Sequence, residues 1–200
     1  MKKIISKKVS LLSTIFLVAG LGLCTSLSAQ TVFHAQVVEI TLNGTSNLHD
    51  WDMKAVNGES EMAIGVDANN KVSSLNRLSF KLPVKNLKSH HSGMDNNTYK
   101  ALNADKNPNI SFVLTSATVI AAGNNNYQFN CLGKLTIAGV TRDVTLPASC
   151  TYNPTDKTFA VNGSKKMNMT DYNVKPPTAI FGTIKTGNPI VIAYNLKFKK

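Results

Sequence analysis

The stretch IVIAYNLKFK, residues 190–199, decides the fold class of this chain. Side chains of a β-strand point alternately to its two faces, so a half-buried strand shows an apolar residue at every second position. Lys197 and Lys199 take the opposite positions, which predicts that they lie on the wet face. The apolar positions of the stretch are Ile190, Ile192, Tyr194, Leu196 and Phe198.

The same alternation recurs along the chain, and turn-forming residues separate the segments. Asn and Gly favour the backbone conformations of tight turns, and Pro fixes one of them. Eight or more strands joined by short turns predict an all-β fold, either an antiparallel sandwich or a barrel. The predicted turns are Asn57-Gly58, residues 67–70, residues 123–126, Asn153-Pro154 and Asn162-Gly163, and the alternating segments are residues 38–42, 62–66, 78–84, 110–114, 127–131, 135–137 and 144–148.

Residues 92–106 break this pattern, because their apolar residues recur at helical spacing. Asp95 is expected to cap the start of this helix, and Asn107-Pro108 is expected to end it. A single helix in an all-β chain suits the closing of one end of a barrel, and we expect it there.

The N-terminus has the order of a secretory signal peptide. Four lysines within the first eight residues precede a short apolar run, residues 9–23, and small residues follow up to Ala29. We expect cleavage after Ala29, which leaves residues 30–200 as one domain that is exported to the periplasm or secreted. A less favoured alternative is lipidation at Cys24, which would anchor the chain to a membrane.

Composition excludes several classes of protein. The 200 residues carry a net charge of +11, which falls to +7 without the four lysines of the predicted signal. This excess is spread along the chain, whereas nucleic-acid-binding proteins concentrate it on one stripe or helix, so no nucleic-acid partner is expected. Three cysteines are too few for a disulfide-built scaffold.

Four strings, taken in order, resemble the YceI-like family of secreted bacterial proteins. They are GTSNLHDW at residues 44–51, the helix and following strand at residues 94–112, GKLTIAGVTR at residues 133–142, and MTDYNVKPP at residues 169–177. The resemblance implies a lipocalin-like, antiparallel up-and-down barrel of about eight strands with one short helix and an elongated apolar channel. Family members with known ligands hold polyisoprenoid chains, including isoprenoid quinones.

The implied ligand is therefore a hydrophobic lipid, a polyisoprenoid or a quinone-like compound, and no other cofactor is expected. Transient contact with a membrane would fit such a cargo. The oligomeric state stays open, with a homodimer as one alternative. On this interpretation the channel is lined by Trp51, Phe80, Leu82, Leu102, Phe112, Leu114, Leu135, Ile137, Met169, Ile180 and Phe181.

The histidines do not form a recognisable metal or catalytic motif. His90 and His91 are neighbours that would point apart in an extended chain, so no metal site is expected. His49 stands beside two aspartates, and imidazole with carboxylate can perform acid–base chemistry. Because no Ser or Cys nucleophile stands in a recognisable motif, no catalytic residue is assigned. We expect His49 near the barrel mouth, where it would meet a ligand's head group.

Cys131 and Cys150 flank a predicted hairpin. If this hairpin is centred between Val140 and Thr141, the two cysteines oppose each other directly, close to disulfide range. We therefore expect a disulfide, with two reduced buried thiols as the alternative if the register slips.

The sequence thus predicts a non-catalytic carrier that holds a long apolar ligand in a barrel. Two other classes of function stay open. The first is a structural or interaction protein whose barrel core is filled. The second, less favoured, is a hydrolase-type enzyme that uses the region around His49.

Overall fold

The computed structural model describes residues 31–55 and 57–200, so the predicted cleavage site after Ala29 and the alternative lipidation site at Cys24 lie outside the described residues. The described chain is mostly strand. Its elements are β1 Thr31–Ser46, β2 Trp51–Ala55, β3 Glu59–Val66, β4 Val72–Pro83, a 3-10 helix Val84–Asn86, α1 Ser92–Ala101, β5 Asn109–Ala121, β6 Asn126–Ile137, β7 Val140–Asn153, β8 Thr158–Asn168, a 3-10 helix Met169–Tyr172, β9 Thr178–Ala179 and β10 Ile184–Lys199.

Eight of these strands close into an antiparallel barrel. Their order is β1, β3, β4, β5, β6, β7, β8 and β10, and β10 returns to pair with β1, with Ile40 opposite Tyr194. The strand β2 pairs with the second half of β1, and β9 pairs with the start of β10. Closure gives each of the eight strands a hydrogen-bonded neighbour on both sides over at least part of its length. The predicted all-β barrel is therefore confirmed.

Alternation in the sequence matches the inward and outward faces of the strands. In β6, the side chains of Tyr127, Phe129, Cys131, Leu135 and Ile137 are buried, and most of the intervening side chains are exposed. The two alternating segments predicted at residues 127–131 and 135–137 are one continuous strand. At the other side of the barrel, Lys197 and Lys199 are exposed, as predicted.

One end of the barrel is closed by stacked aromatic rings. The rings of Tyr152 and Phe159 stack with centroids 4.5 Å apart, and Phe33 meets Phe159 edge-on at 4.9 Å. Phe159 is fully buried. Such ring pairs add to the free energy gained by burying the same area, so this end of the barrel is filled.

The helix covers the opposite end, as predicted, but it is shorter and held differently. It ends at Ala101 and continues as turns to Lys106. Asp95 does not cap the start of α1. Its buried carboxylate instead accepts hydrogen bonds from the backbone N–H and the hydroxyl of Ser89, at 2.7 and 2.8 Å. The Tyr99 hydroxyl donates a hydrogen bond to the carbonyl of Leu87, which holds α1 against the segment that precedes it.

The predicted turn at Asn162-Gly163 is wrong, because both residues lie inside β8. A Cβ on Gly163 would overlap the Pro147 carbonyl oxygen and the ring and hydroxyl of Tyr194. The Tyr194 hydroxyl donates a hydrogen bond to the Pro147 carbonyl across this glycine. Glycine is therefore present for close approach within a strand rather than for a turn.

The predicted disulfide between Cys131 and Cys150 is also wrong. The hairpin turns at Ala138 and Gly139, whose φ angles are 49° and 80°, as a two-residue primed turn requires. Cys131 therefore faces Leu146, and Cys150 faces Tyr127. Four residues along a strand separate the cysteines from opposition, about 13 Å. Both thiols are free and buried, and burial raises the pKa of Cys131 to about 11 and of Cys150 to about 12.

We expect Gly163→Ala to destabilise the barrel by about 1–3 kcal/mol, because the added methyl group has to displace backbone or the Tyr194 ring. Urea unfolding followed by circular dichroism measures this change. Gly93→Ala in α1 is the control, since a Cβ there meets nothing within 4 Å, and it should leave the free energy of unfolding unchanged or raise it by up to about 1 kcal/mol. Equal effects of the two variants would contradict the close approach at Gly163.

Candidate functional site

The barrel is hollow along part of its axis. A cavity of about 140 Å³ lies in its middle, and we call it the deep chamber. Its wall is almost entirely apolar, because the inward positions of the strands carry aliphatic, aromatic and methionine side chains. They include Met62, Phe80, Phe112, Phe129, Leu135 and Leu196.

A second cavity of about 400 Å³ lies between the strands and α1, and we call it the mouth chamber. Its wall mixes apolar side chains with a few polar ones, among them His49, Asn97 and Thr186. The helix α1 forms its roof, and Thr98 is held there by a contact of its hydroxyl with the Met53 sulfur at 3.3 Å. The mouth chamber thus offers an apolar space with polar groups near the barrel's end.

The two chambers meet at three side chains. Leu42, Ile137 and Met167 line both of them, and we call this ring the waist. Each residue belongs to a different strand, so the waist surrounds the axis from several sides. Methionine has three rotatable bonds and adapts to irregular apolar neighbours, so Met167 is suited to making room. The two chambers are therefore neighbours along the barrel, separated by the side chains of the waist, and we call the chambers and the waist together the channel.

A family model for the YceI-like domain matches residues 26–198 of the sequence. The chain belongs to the YceI-like family. No curated protein is similar enough in sequence to be counted as a relative.

Solved structures share the fold of this YceI-like chain at low identity. BcnA of Burkholderia cenocepacia is 17% identical, with a TM-score of 0.57 over 80% of this chain and 95% of BcnA. A polyisoprenoid-binding domain from Saccharophagus degradans is 8% identical, with a TM-score of 0.61 over 84% of this chain and 97% of that domain. The YceI protein of Campylobacter jejuni is 17% identical, with a TM-score of 0.52 over 72% of this chain and 85% of its own.

The structure places nine of the eleven residues predicted to line the channel of this YceI-like protein on its walls. Phe80, Leu82, Phe112 and Leu135 lie in the deep chamber, and Ile137 lies at the waist. The other four lie in the mouth chamber: Trp51, Leu102, Met169 and Ile180.

Two predicted lining residues lie elsewhere. A β-bulge follows Leu114 and shifts the register of β5 against β6, and Leu114 packs against the core outside both chambers. Phe181 is fully exposed, because Ile180, Phe181 and Gly182 have consecutive φ angles of 49°, 51° and 87° and turn the chain back on itself. The expectation that Phe181 faces the channel is wrong, whereas Leu114 keeps the register and the face of Phe112 in β5 but lines neither chamber.

Sequence analysis missed the contribution of β8. Lys165 lines the deep chamber and Met167 the waist, and the alternation Val161, Gly163, Lys165, Met167 would have indicated an inward face. The adjacent lysines and the glycine obscured that signal, because both suggest a solvated turn. Lys165 is the one charged residue among those lining the deep chamber in the described part of the chain.

Two of the histidines lie at the end of the barrel that α1 covers. His49 lies in the wall of the mouth chamber, exposed, and its Nδ1 is 2.6 Å from the Asp50 carbonyl oxygen. His91 precedes α1 and lines the same chamber, and His34 pairs with Glu61 at 3.3 Å on the barrel surface. Among residues 31–55 and 57–200, no three His, Cys, Asp or Glu side chains are grouped to hold a metal ion.

Tyr172 closes the mouth chamber on the side of the second 3-10 helix. Burial raises the pKa of its hydroxyl, and the neighbouring Asp171 adds to this, so the hydroxyl stays protonated at neutral pH. Within the described residues this buried hydroxyl has no hydrogen-bond partner. An unmade buried hydrogen bond costs free energy.

None of the described helices is long and apolar enough to cross a membrane.

We expect Asp95→Asn to loosen the roof of the mouth chamber. Burial alone raises the pKa of Asp95, but hydrogen bonds from Ser89 and the charge of Lys88 outweigh it and hold the pKa below its ordinary value. The ionised form therefore stabilises the fold above pH ~3.9, and this contribution is lost as the pH falls through the lower folded pKa.

Urea unfolding at pH 7 and pH 3 tests this expectation. At pH 7 the variant should be less stable than the wild type by roughly 1–2 kcal/mol, since it weakens hydrogen bonds to a charged acceptor. The difference should shrink at pH 3. Asp105→Asn is the control, because that carboxylate is 91% exposed and pairs only with exposed Lys85 at 3.4 Å. An equal loss in both variants at pH 7 would contradict the role of Asp95.

Proposed function

We propose that this chain is a non-catalytic carrier that holds a long apolar ligand, a polyisoprenoid or an isoprenoid quinone, in its channel. The observation that carries the proposal is the presence of two largely apolar chambers inside the barrel, with only the side chains of the waist between them. Each CH₂ group moved from water into such a space gains about 0.8 kcal/mol. A thin, flexible prenyl chain can follow a narrow channel that a compact lipid could not enter.

The size of the deep chamber adds a second physical reason. Filling an apolar cavity of about 140 Å³ with hydrocarbon gains on the order of 3 kcal/mol, because the lining side chains acquire packing partners. A hydrocarbon chain would restore those contacts. The description of the Saccharophagus degradans domain as polyisoprenoid-binding supports the same ligand class for this chain.

The alternative of a structural barrel with a filled core is less well supported, because two cavities occupy the axis. The alternative of an enzyme would place its chemistry at His49. This histidine is exposed and its Nδ1 contacts a backbone carbonyl rather than a carboxylate. A carrier requires none of that chemistry, which is why we favour it.

We propose that the carrier works outside the cytoplasm, in the periplasm or after secretion. The lysine-rich start and short apolar run of residues 1–29 support export and cleavage after Ala29. Anchoring through Cys24 is the alternative. In either case the protein would hold a water-insoluble chain in an aqueous compartment, which requires a cavity that shields the chain from water.

An exposed apolar surface beside the mouth chamber supports transient contact with a membrane. The side chains of Leu48, Ile180 and Phe181 are exposed, and we call them the apolar tip. Their two loops are tied together, since Asn47 donates to the carbonyls of Thr183 and Lys185. Exposed apolar side chains grouped beside a ligand channel suit contact with a lipid surface.

Extraction of the natively purified protein with organic solvent tests the carrier function. Mass spectrometry of the extract should return a compound with a prenyl chain. In Met167→Trp, the indole should fill the waist and lower the recovered amount at least tenfold. Lys166→Trp is the matched control, because its side chain points outward from the same strand, and it should keep the wild-type amount. A protein that carries no lipid and ignores added quinones would contradict the proposal.

Membrane contact is tested by sedimentation with vesicles that contain anionic lipids. The double variant Leu48→Ser with Phe181→Ser should lose about tenfold or more in vesicle affinity, since two apolar side chains leave the contact. The control is Val113→Ser with Ile120→Ser, which removes two exposed apolar side chains from the barrel wall. Equal loss in both double variants, or no loss in the first, would show that the apolar tip is not the contact.

A further inference from the structure

The wall of the barrel has an opening between β7 and β8. In the part of the chain that the structure describes, these strands pair only from Asn153 opposite Thr158 to Ser149 opposite Asn162. Beyond this point β7 continues to Val140 paired with β6 alone, and β8 continues paired with β10 alone. The unpaired halves of the two strands border an opening that we call the slot.

Two residues account for the end of the pairing. Pro147 has no N–H to donate, and its carbonyl accepts from the Tyr194 hydroxyl instead of from β8. Gly163, which lies against this carbonyl, lets the Tyr194 ring cross the strand. At the far end, Arg142 Nε donates to the Asp171 carbonyl at 3.0 Å and ties β7 to the chain after β8. The slot is therefore bounded at both ends by specific contacts.

Lys165 stands on the β8 border of the slot. It shares the inward face of β8 with Val161 and Met167, lines the deep chamber, and is half-buried. Among the described residues, no carboxylate lies within ion-pair distance of its ammonium group. A lysine stem packs against apolar surface while its charge stays at the water boundary. The slot thus has a cation without a partner next to an apolar chamber.

The charges around the slot favour an anion. Arg142 adds positive charge there, whereas the two nearby acids are engaged in other contacts. Asp143 pairs with Lys134 at 3.0 Å, and the Asp171 carboxylate accepts from the Asn168 backbone N–H at 2.9 Å. The barrel mouth differs, because His49 is followed by Asp50 and Asp52, whose charges repel an anion.

We propose that Lys165 binds the oxyanion head group of a single-chain amphiphile, a phosphate or a carboxylate, whose apolar chain lies in the channel. This inference rests on the proposed carrier function and narrows its ligand class. The head group would lie in the slot, in contact with water, while the chain extends past the waist into the mouth chamber. A charge-assisted contact to lysine then distinguishes an anionic ligand from a neutral one of the same length.

Binding of three C15 probes with one prenyl chain tests this inference: farnesol, farnesyl phosphate and farnesoate. Tryptophan fluorescence or calorimetry measures the affinity of the full chain for each. The wild type should bind at least one anionic probe about tenfold more tightly than farnesol, and the two anions show which oxyanion is preferred. Lys165→Gln should abolish this preference and leave farnesol binding unchanged. A hydroxyl such as that of Tyr172 also donates a stronger hydrogen bond to an anion than to an alcohol, so it is the loss of the preference in Lys165→Gln that identifies the cation.

Three further variants serve as controls. Lys166→Gln, the outward neighbour, and Lys165→Arg, which keeps the charge, should both retain the preference. His49→Gln should retain it as well. Thermal unfolding by circular dichroism establishes that each variant is folded, and if Lys165→Gln is not, Lys165→Met takes its place.

The outcomes separate this inference from the carrier function. A wild type that binds all probes equally, a preference that persists in Lys165→Gln, or one that His49→Gln abolishes would overturn the head-group site and leave the carrier function standing. Loss of farnesol binding in folded Lys165→Gln would also overturn it, because Lys165 would then shape the site for the apolar chain. A wild type that binds none of the probes would overturn the carrier function and this inference together.

Discussion

Pairing of β10 with β1 closes the sheet, and the other features of the molecule depend on that closure. The register runs from His34 opposite Lys199 to Ser46 opposite Thr186, so the last strand must be in place before the barrel exists. Closure satisfies the backbone hydrogen bonds of strands whose inner face is not packed solid. A hollow interior is tolerated because the wall is held by its ladders rather than by a filled core.

The hollow interior has a cost that the two ends of the barrel offset. The aromatic cluster around Phe159 is buried, and at the other end the carboxylate of Asp95 and the hydroxyl of Tyr99 tie α1 to the segment that precedes it. Packing is therefore concentrated where the barrel closes, and the middle is left to adaptable side chains such as Met62 and Met167. This distribution lets a ligand add contacts without breaking any.

Period-2 alternation was sufficient to predict the all-β fold and the inward positions of its strands, because these follow directly from strand geometry, whereas the expectation of a channel came from the family resemblance. Register was harder to predict, since it depends on which residues take positive φ. The predicted hairpin was centred between Val140 and Thr141, two residues later than the turn at Ala138-Gly139. This error placed the two cysteines opposite each other. Phe181 was misplaced for the same kind of reason, a run of left-handed residues that composition does not reveal.

Three residues interrupt the barrel wall between β7 and β8. Pro147 breaks a ladder, Gly163 removes a side chain from a strand interior, and Lys165 places a charge on an inward face. Each departs from what a stable strand prefers, and all three border the same opening. Departures from local preference are expected where a site requires them. Their grouping at the slot, rather than scatter over the wall, indicates that this side of the channel has a binding role in addition to a structural one.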